Sequence, residues 1–307
     1  MLAGQLDKQP EEQRWLIDGL WARSAIGLIG GAPKSCKTWM GLDMAISVAT
    51  GTAALDHFAV SAKGPALIYL AADALPQVRC RIESICRRRQ LKIDQLDLHV
   101  ITAPTLRLDQ KADQDRLAET ISVLRPSLVL LDPLVRLHRL DENSAGEISG
   151  LLGFFRELQR RFHTAIVLVH HASKKQRSQP GQALRGSSDL HAIGDCNAYL
   201  ARKNQHIMLT VEHRAARSPE PMLLDLVSDN DESAVALQVC NDHRQHADQS
   251  DVSIADRILD AMDRVPTTRS ALRETLRVNN QKLGDALTKL EEQQLIVRSE
   301  GGWHLPT

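Results

Sequence analysis

The chain has 307 residues, with 38 Lys and Arg set against 38 Asp and Glu, so its formal net charge is zero with the 12 His neutral. That balance excludes attraction of the whole chain to nucleic acid and leaves any such contact to local patches. Hydrophobic residues at 43% exclude a disordered chain, and aromatics at only 3% argue against a stacking platform for bases.

No apolar run approaches the roughly 18–20 residues that a membrane helix needs, and the opening MLAGQLDK lacks a secretory pattern. The expectation is a cytoplasmic protein with no membrane partner. The cysteines at 36, 80, 86, 196 and 240 form no C-x-x-C pair and are odd in number, which speaks against a zinc knuckle or a disulfide framework.

From residue 25 onward, short β-rich runs at 25–30, 66–71, 96–101, 127–132 and 164–170 alternate with helical patterns at 38–49, 76–90, 110–124 and 145–162. That rhythm predicts an α/β fold, a mostly parallel sheet with right-handed crossovers and helices on both faces. The pattern then changes. Segments 195–202, 206–214 and 222–227 contain strands, with no helix between the last two, and so predict antiparallel edge strands. The domain expectation is a core over 1–240, a polar linker over 241–252 and a small domain over 253–307. In the last, helical patterns at 254–262, 268–276 and 279–293 precede a strand, Gly-Gly turn and strand, which suggests a winged helix-turn-helix.

The strand ending at Gly30 runs into Gly31, Ala32, Pro33, Lys34, Ser35, Cys36, Lys37, Thr38 and Trp39, the spacing of G-x-x-x-x-G-K-[ST] with Cys36 at the second glycine. A glycine-rich turn opening a helix points backbone N–H groups at a polyphosphate. Lys37 would neutralise the β- and γ-phosphates, and the Thr38 hydroxyl would ligate Mg2+ of bound ATP. Cys36 either strains the loop or needs only right-handed dihedrals there. Its place at a helix N-terminus beside Lys37 predicts a lowered thiol pKa and alkylation that blocks nucleotide binding. The apolar strand 127–132 ends in Asp132, a Walker B pattern whose carboxylate would hold the magnesium opposite Thr38.

Together, residues 31–38, Leu70-Ala71-Ala72-Asp73, Leu131-Asp132-Pro133-Leu134, and Val167-Leu168-Val169-His170-His171 with Leu184-Arg185-Gly186-Ser187-Ser188 resemble the RecA-like ATPases. Within them the resemblance is to the plasmid-type replicative helicase group typified by RepA, and it covers about residues 14–227. It implies a self-assembling ring, a hexamer, acting on single-stranded DNA in replication. His170 or His171 inherits a γ-phosphate-sensing role. Arg214, with Arg217 as second candidate, inherits that of an arginine finger offered to the neighbouring subunit. The family commonly shows Glu-Asp after its second strand, where the Glu polarises the attacking water; here the pair reads Ala72-Asp73. Either Asp73 reaches the water or hydrolysis is slow. Asp141, Glu142 and Asn143 are another acidic source.

The stretch 172–188 carries Lys174, Lys175, Arg177 and Arg185 with no acid, and the resemblance puts such a loop in a central channel against DNA. Arg79, Arg81, Arg87, Arg88, Arg89 and Lys92 face only Glu83 and read as a solvated helix face. In the terminal domain charge is balanced, yet Asn279, Asn280, Gln281 and Lys282 begin the third helix, where a recognition helix would meet duplex DNA. Two functions remain open: an ATP-driven DNA helicase, or a slow ATP-switched DNA-binding regulator or helicase loader.

Overall fold

A computed structural model describes residues 2, 5, 14–142, 144–171, 188–203, 206–228, 234–240, 258–262, 267–276, 280–293, 295–299 and 301–305. The chain divides into two compact units, Met1–Cys240 and Asn241–Thr307.

The first unit opens with a hairpin of β1 (Trp15–Ile17) and β2 (Trp21–Ala22). Then follow β3 (Ile26–Gly31), α1 (Lys37–Thr50), β4 (Ala66–Leu70), α2 (Leu75–Arg88), β5 (Leu98–Val100), α3 (Lys111–Leu124) and β6 (Leu128–Asp132). After them come α4 (Ala145–Phe162), β7 (Ala165–His171), α5 (Ser188–Ala192), β8 (Cys196–Lys203), β9 (His206–His213), β10 (Met222–Ser228) and β11 (Val235–Val239).

Nine of these strands form one sheet in the order β11-β10-β9-β8-β3-β7-β6-β4-β5. The half from β5 to β8 is parallel, and β8 to β11 continue it as antiparallel neighbours. Alternation along each parallel strand supplies two cores. Ile68, Leu130, Val167 and Val169 face the α1 and α2 side, packing with Met40, Ile46, Ile82 and Ile85. Leu67, Val129, Ile166 and Leu168 face the α3 and α4 side, packing with Leu117, Ile121, Leu151 and Phe155. Among the described residues no helix is long and apolar enough to cross a membrane.

The strand that carries the glycine loop is held in the middle of the sheet by close approach. A Cβ placed on Gly27 would lie 1.6 Å from the Cys196 carbonyl oxygen, so only glycine lets β8 run alongside β3 at that point. Asp195, just before β8, ties the same end together. It accepts from the Ile26 amide at 3.2 Å and from Arg156 of α4 at 2.6 Å. In-register pairing then aligns the carboxyl ends, with Gly31 beside His171 and Leu70 beside Asp132. Ligands of open α/β sheets bind at that edge.

The second unit contains α6 (Arg269–Leu276), α7 (Asn280–Glu292) and a hairpin of β12 (Val297–Ser299) and β13 (Gly302–His304). Leu272, Leu283, Leu287, Leu290 and Ile296 form its buried core with Ile258 and Met262.

Candidate functional site: a phosphate-loop cleft

At the carboxyl edge of the sheet lies a cleft of about 310 Å3 lined by Lys34, Ser35, Cys36, Lys37, Thr38, Trp39, Arg81, Asp132 and His171. The loop between β3 and α1 bends through Lys34 (φ 63°) and Cys36 (φ 64°), both in the left-handed region. Cys36 therefore takes the strained alternative, at a cost of order 1 kcal/mol for a side chain where glycine is at ease. Gly31 is fixed by proximity: an added Cβ would lie 2.4 Å from the Leu200 carbonyl and 2.6 Å from Ser35 Oγ.

Lys37 is buried and donates to the Gly31 carbonyl at 2.9 Å and the Ala32 carbonyl at 2.7 Å. Burial lowers its pKa, opposed by the Asp132 carboxylate. Asp132 is also buried. Burial raises its pKa, the Thr38 hydroxyl that donates to it opposes the rise, and neighbouring Asp73 adds to it. Its second oxygen, Oδ2, is buried with no hydrogen-bond partner, as is Ser35 Oγ. An orphaned, desolvated carboxylate oxygen next to a threonine hydroxyl fits a hard divalent cation that takes oxygen ligands. The residues present therefore match Mg2+ at Thr38 and Asp132.

Asp73 stands at the start of α2's approach to this edge and forms an ion pair with Arg81, two turns along that helix. Arg81 was grouped by sequence with a solvated face. The structure corrects this: Arg81 lines the cleft, and Arg89 is partly buried and pairs with the fully buried Asp43. Only a contact map could separate them from Arg79 and Arg87, because a helix spreads these residues around its axis. Arg202, at the end of β8, also escaped sequence reasoning; its Nε donates to the Lys34 carbonyl at 3.3 Å.

The histidine pair divides between the two faces of the sheet. His171 shares the side of Val169 and lines the cleft. His170 is turned to the opposite side, 2% exposed, with Nδ1 3.7 Å from Glu142 Oε1. His138 Nε2 lies 3.6 Å from the same oxygen. Glu142 is thus engaged away from the cleft, and Asn143 lies outside the described residues. Of the two histidines named for phosphate sensing, the geometry favours His171 over His170.

Arg214 donates to Asp195 Oδ1 at 3.2 Å and also to the Ala192 carbonyl, contacts within its own subunit, and Arg217 is exposed. The reactive-thiol expectation for Cys36 is corrected: desolvation raises its pKa and outweighs the opposing charges of Arg202 and Lys37. The basic stretch 172–187, the linker 241–252 and the Asn279 amide cluster's side chains lie outside the described residues.

A mostly parallel sheet with a glycine loop, a lysine, a threonine and an apolar-strand aspartate meeting at its carboxyl edge defines the P-loop nucleotide-binding class. The sequence model of a family described as an AAA domain matches residues 1–177, more than half of the chain. The chain belongs to that family, whose members are AAA-type P-loop ATPases. No curated protein matches it.

Proposed function

We propose that this chain is an ATP-dependent motor acting on DNA, a replicative helicase of a plasmid or mobile element that works as a homo-oligomeric ring. One observation carries the ATP half of this reading: Lys37, Thr38 and Asp132 meet in a single cleft, and Asp132 keeps a buried oxygen without a hydrogen-bond partner. Backbone amides of residues 32–38 and the Lys37 ammonium bind the phosphates, and Thr38 and Asp132 hold Mg2+. The cation, when bound, neutralises charge on the phosphoryl oxygens. His171 reports the γ-phosphate by hydrogen bonding. Arg214, with half of its side chain exposed, is offered to the neighbouring subunit.

The DNA half rests on the resemblance and on charge. Lys174, Lys175, Arg177 and Arg185 follow each other without an acid, which suits a phosphate backbone. The helices and hairpin of the second unit act as a winged helix that contacts duplex DNA.

A second reading has its own support. The position expected to hold glutamate is Ala72, and the adjacent Asp73 is committed to Arg81. With Asp73 held by Arg81 instead of aimed at water, the chain acts as a slow ATP switch that loads or regulates other proteins on DNA. Phosphate release measured with and without single-stranded DNA separates the two. DNA-stimulated turnover with strand displacement supports the motor, and ATP-dependent assembly with negligible turnover supports the switch. Lys37→Ala should abolish either response; Mg-ATP binding that survives it would refute the site.

A further inference from the structure

The antiparallel half of the sheet carries a second cluster, distant in chemistry from the nucleotide cleft. The register Leu224↔Ile207 between β10 and β9 brings Asp225 opposite His206, and His206 Nδ1 lies 2.5 Å from Asp225 Oδ1. The Cys240 amide donates to the Leu223 carbonyl at 2.8 Å, so Cys240 stands across from Leu223, two residues from Asp225 on the same face. One ligand atom from each of His206, Asp225 and Cys240 lies within 4.8 Å of the other two, and all three side chains are partly exposed.

We propose that His206, Asp225 and Cys240 bind a zinc-type divalent cation that clips β9, β10 and the end of β11 together. The donor set decides the ion. One nitrogen, one carboxylate oxygen and one sulfur make a borderline site, unsuited to Mg2+ or Ca2+, which take oxygen. Tetrahedral zinc bonds of about 2.0–2.3 Å set ligand atoms roughly 3.3–3.8 Å apart, so the His206–Asp225 pair opens and the wider contacts close, each by about 1 Å. Solvent access leaves the fourth position to water. Binding displaces the thiol proton of Cys240 to solvent, while His206 offers Nδ1 by carrying its ring proton on Nε2. Affinity therefore rises with pH. Cysteine spacing gave no sign of this site because each ligand comes from a different strand.

The test uses the full chain, stripped with chelator and held in Mg2+ so that hard-cation sites are filled. Zn2+ uptake is measured by equilibrium dialysis, and Co2+ is titrated while the thiolate-to-cobalt charge-transfer band is followed. The wild type takes up one equivalent and shows the band. Cys240→Ser abolishes the band, His206→Gln and Asp225→Asn each weaken binding at least about tenfold, and Cys80→Ser retains it. Since the ligands are partly exposed, thermal melts of the metal-free variants should match wild type, so loss of binding is separable from loss of fold. Absence of stoichiometric uptake by wild type overturns the proposal. So does a band that survives Cys240→Ser, or one indifferent to both His206→Gln and Asp225→Asn.

Discussion

The Thr38 hydroxyl donates to the Asp132 carboxylate across the gap between α1 and β6, while Asp132 Oδ2 remains buried without a hydrogen-bond partner. Stability and ligand binding therefore make opposite demands on one side chain. Asp132→Asn should bind Mg-ATP at least about tenfold more weakly, since a neutral amide is a poor ligand for a hard cation. The same variant should melt at or above the wild-type temperature without ligand, because it removes a charge that burial disfavours. Folding binds a proton more tightly at Asp132 than the unfolded chain does, so its ionisation opposes folding as pH rises through that window. The advantage of Asn over Asp should accordingly grow from acid toward neutral pH in chemical denaturation, then level off.

Cys36 occupies a left-handed conformation, and its thiol is pushed up by burial. Cys36→Gly should raise stability by about 1 kcal/mol, or about 2–4 °C in melting temperature for a unit of this size. Iodoacetamide should modify Cys36 more slowly than the exposed Cys80 at neutral pH, with a rate that climbs as pH increases. Mass spectrometry of labelled peptides reads both rates, and saturating ATP should suppress only the first.

Arg89 donates to Ser47 Oγ at 2.7 Å and Thr52 Oγ1 at 3.2 Å while pairing with buried Asp43. Even so, burial holds the Asp43 pKa up at about 6. Arg89→Ala would strand that carboxylate and should cost about 3–5 kcal/mol at pH 8. Without the guanidinium that holds it down, Asp43 in the variant ionises above 6, so the penalty should shrink as pH falls toward 6 and level off below it. A double variant, Asp43→Leu with Arg89→Leu, should recover much of the loss in urea denaturation.

His171 and His170 should separate cleanly. His171→Ala should lower ATP turnover with little change in melting temperature, because the ring borders the cleft. His170→Ala should lower the melting temperature, because it empties a buried position beside Glu142. Turnover and calorimetry on both variants give the comparison.

Much of the core was legible because its signals are local. Each parallel strand is a short apolar run ending at a turn, and observed bounds such as Leu128–Asp132 and Ala165–His171 differ from the expected ones by a residue or two. The loop was legible because a phosphate cradle demands glycine, lysine and threonine at set offsets. What escaped was set by tertiary contact. Strand β11, Val-Ala-Leu-Gln-Val, is too short a run to declare strand over helix and gains its identity from pairing with β10. The split of His170 from His171 depends on which face each residue of β7 takes. At Cys36 the neighbouring charge is visible in sequence, whereas the desolvation that outweighs it is not. Arg81 is one arginine among several in the sequence, and only the packing of α2 on the sheet singles it out for the cleft.

Gly27 leaves no side chain between the loop-bearing strand and β8, where the Cys196 carbonyl fills the space a Cβ would need. Two backbones in direct contact have no compressible layer to absorb movement. Any shift of β3 that accompanies phosphate capture would be handed on to β8 almost undiminished, and through its ladder to β9, β10 and β11. Even Gly27→Ala would wedge a methyl group into that seam and force β3 and β8 apart at their shared end.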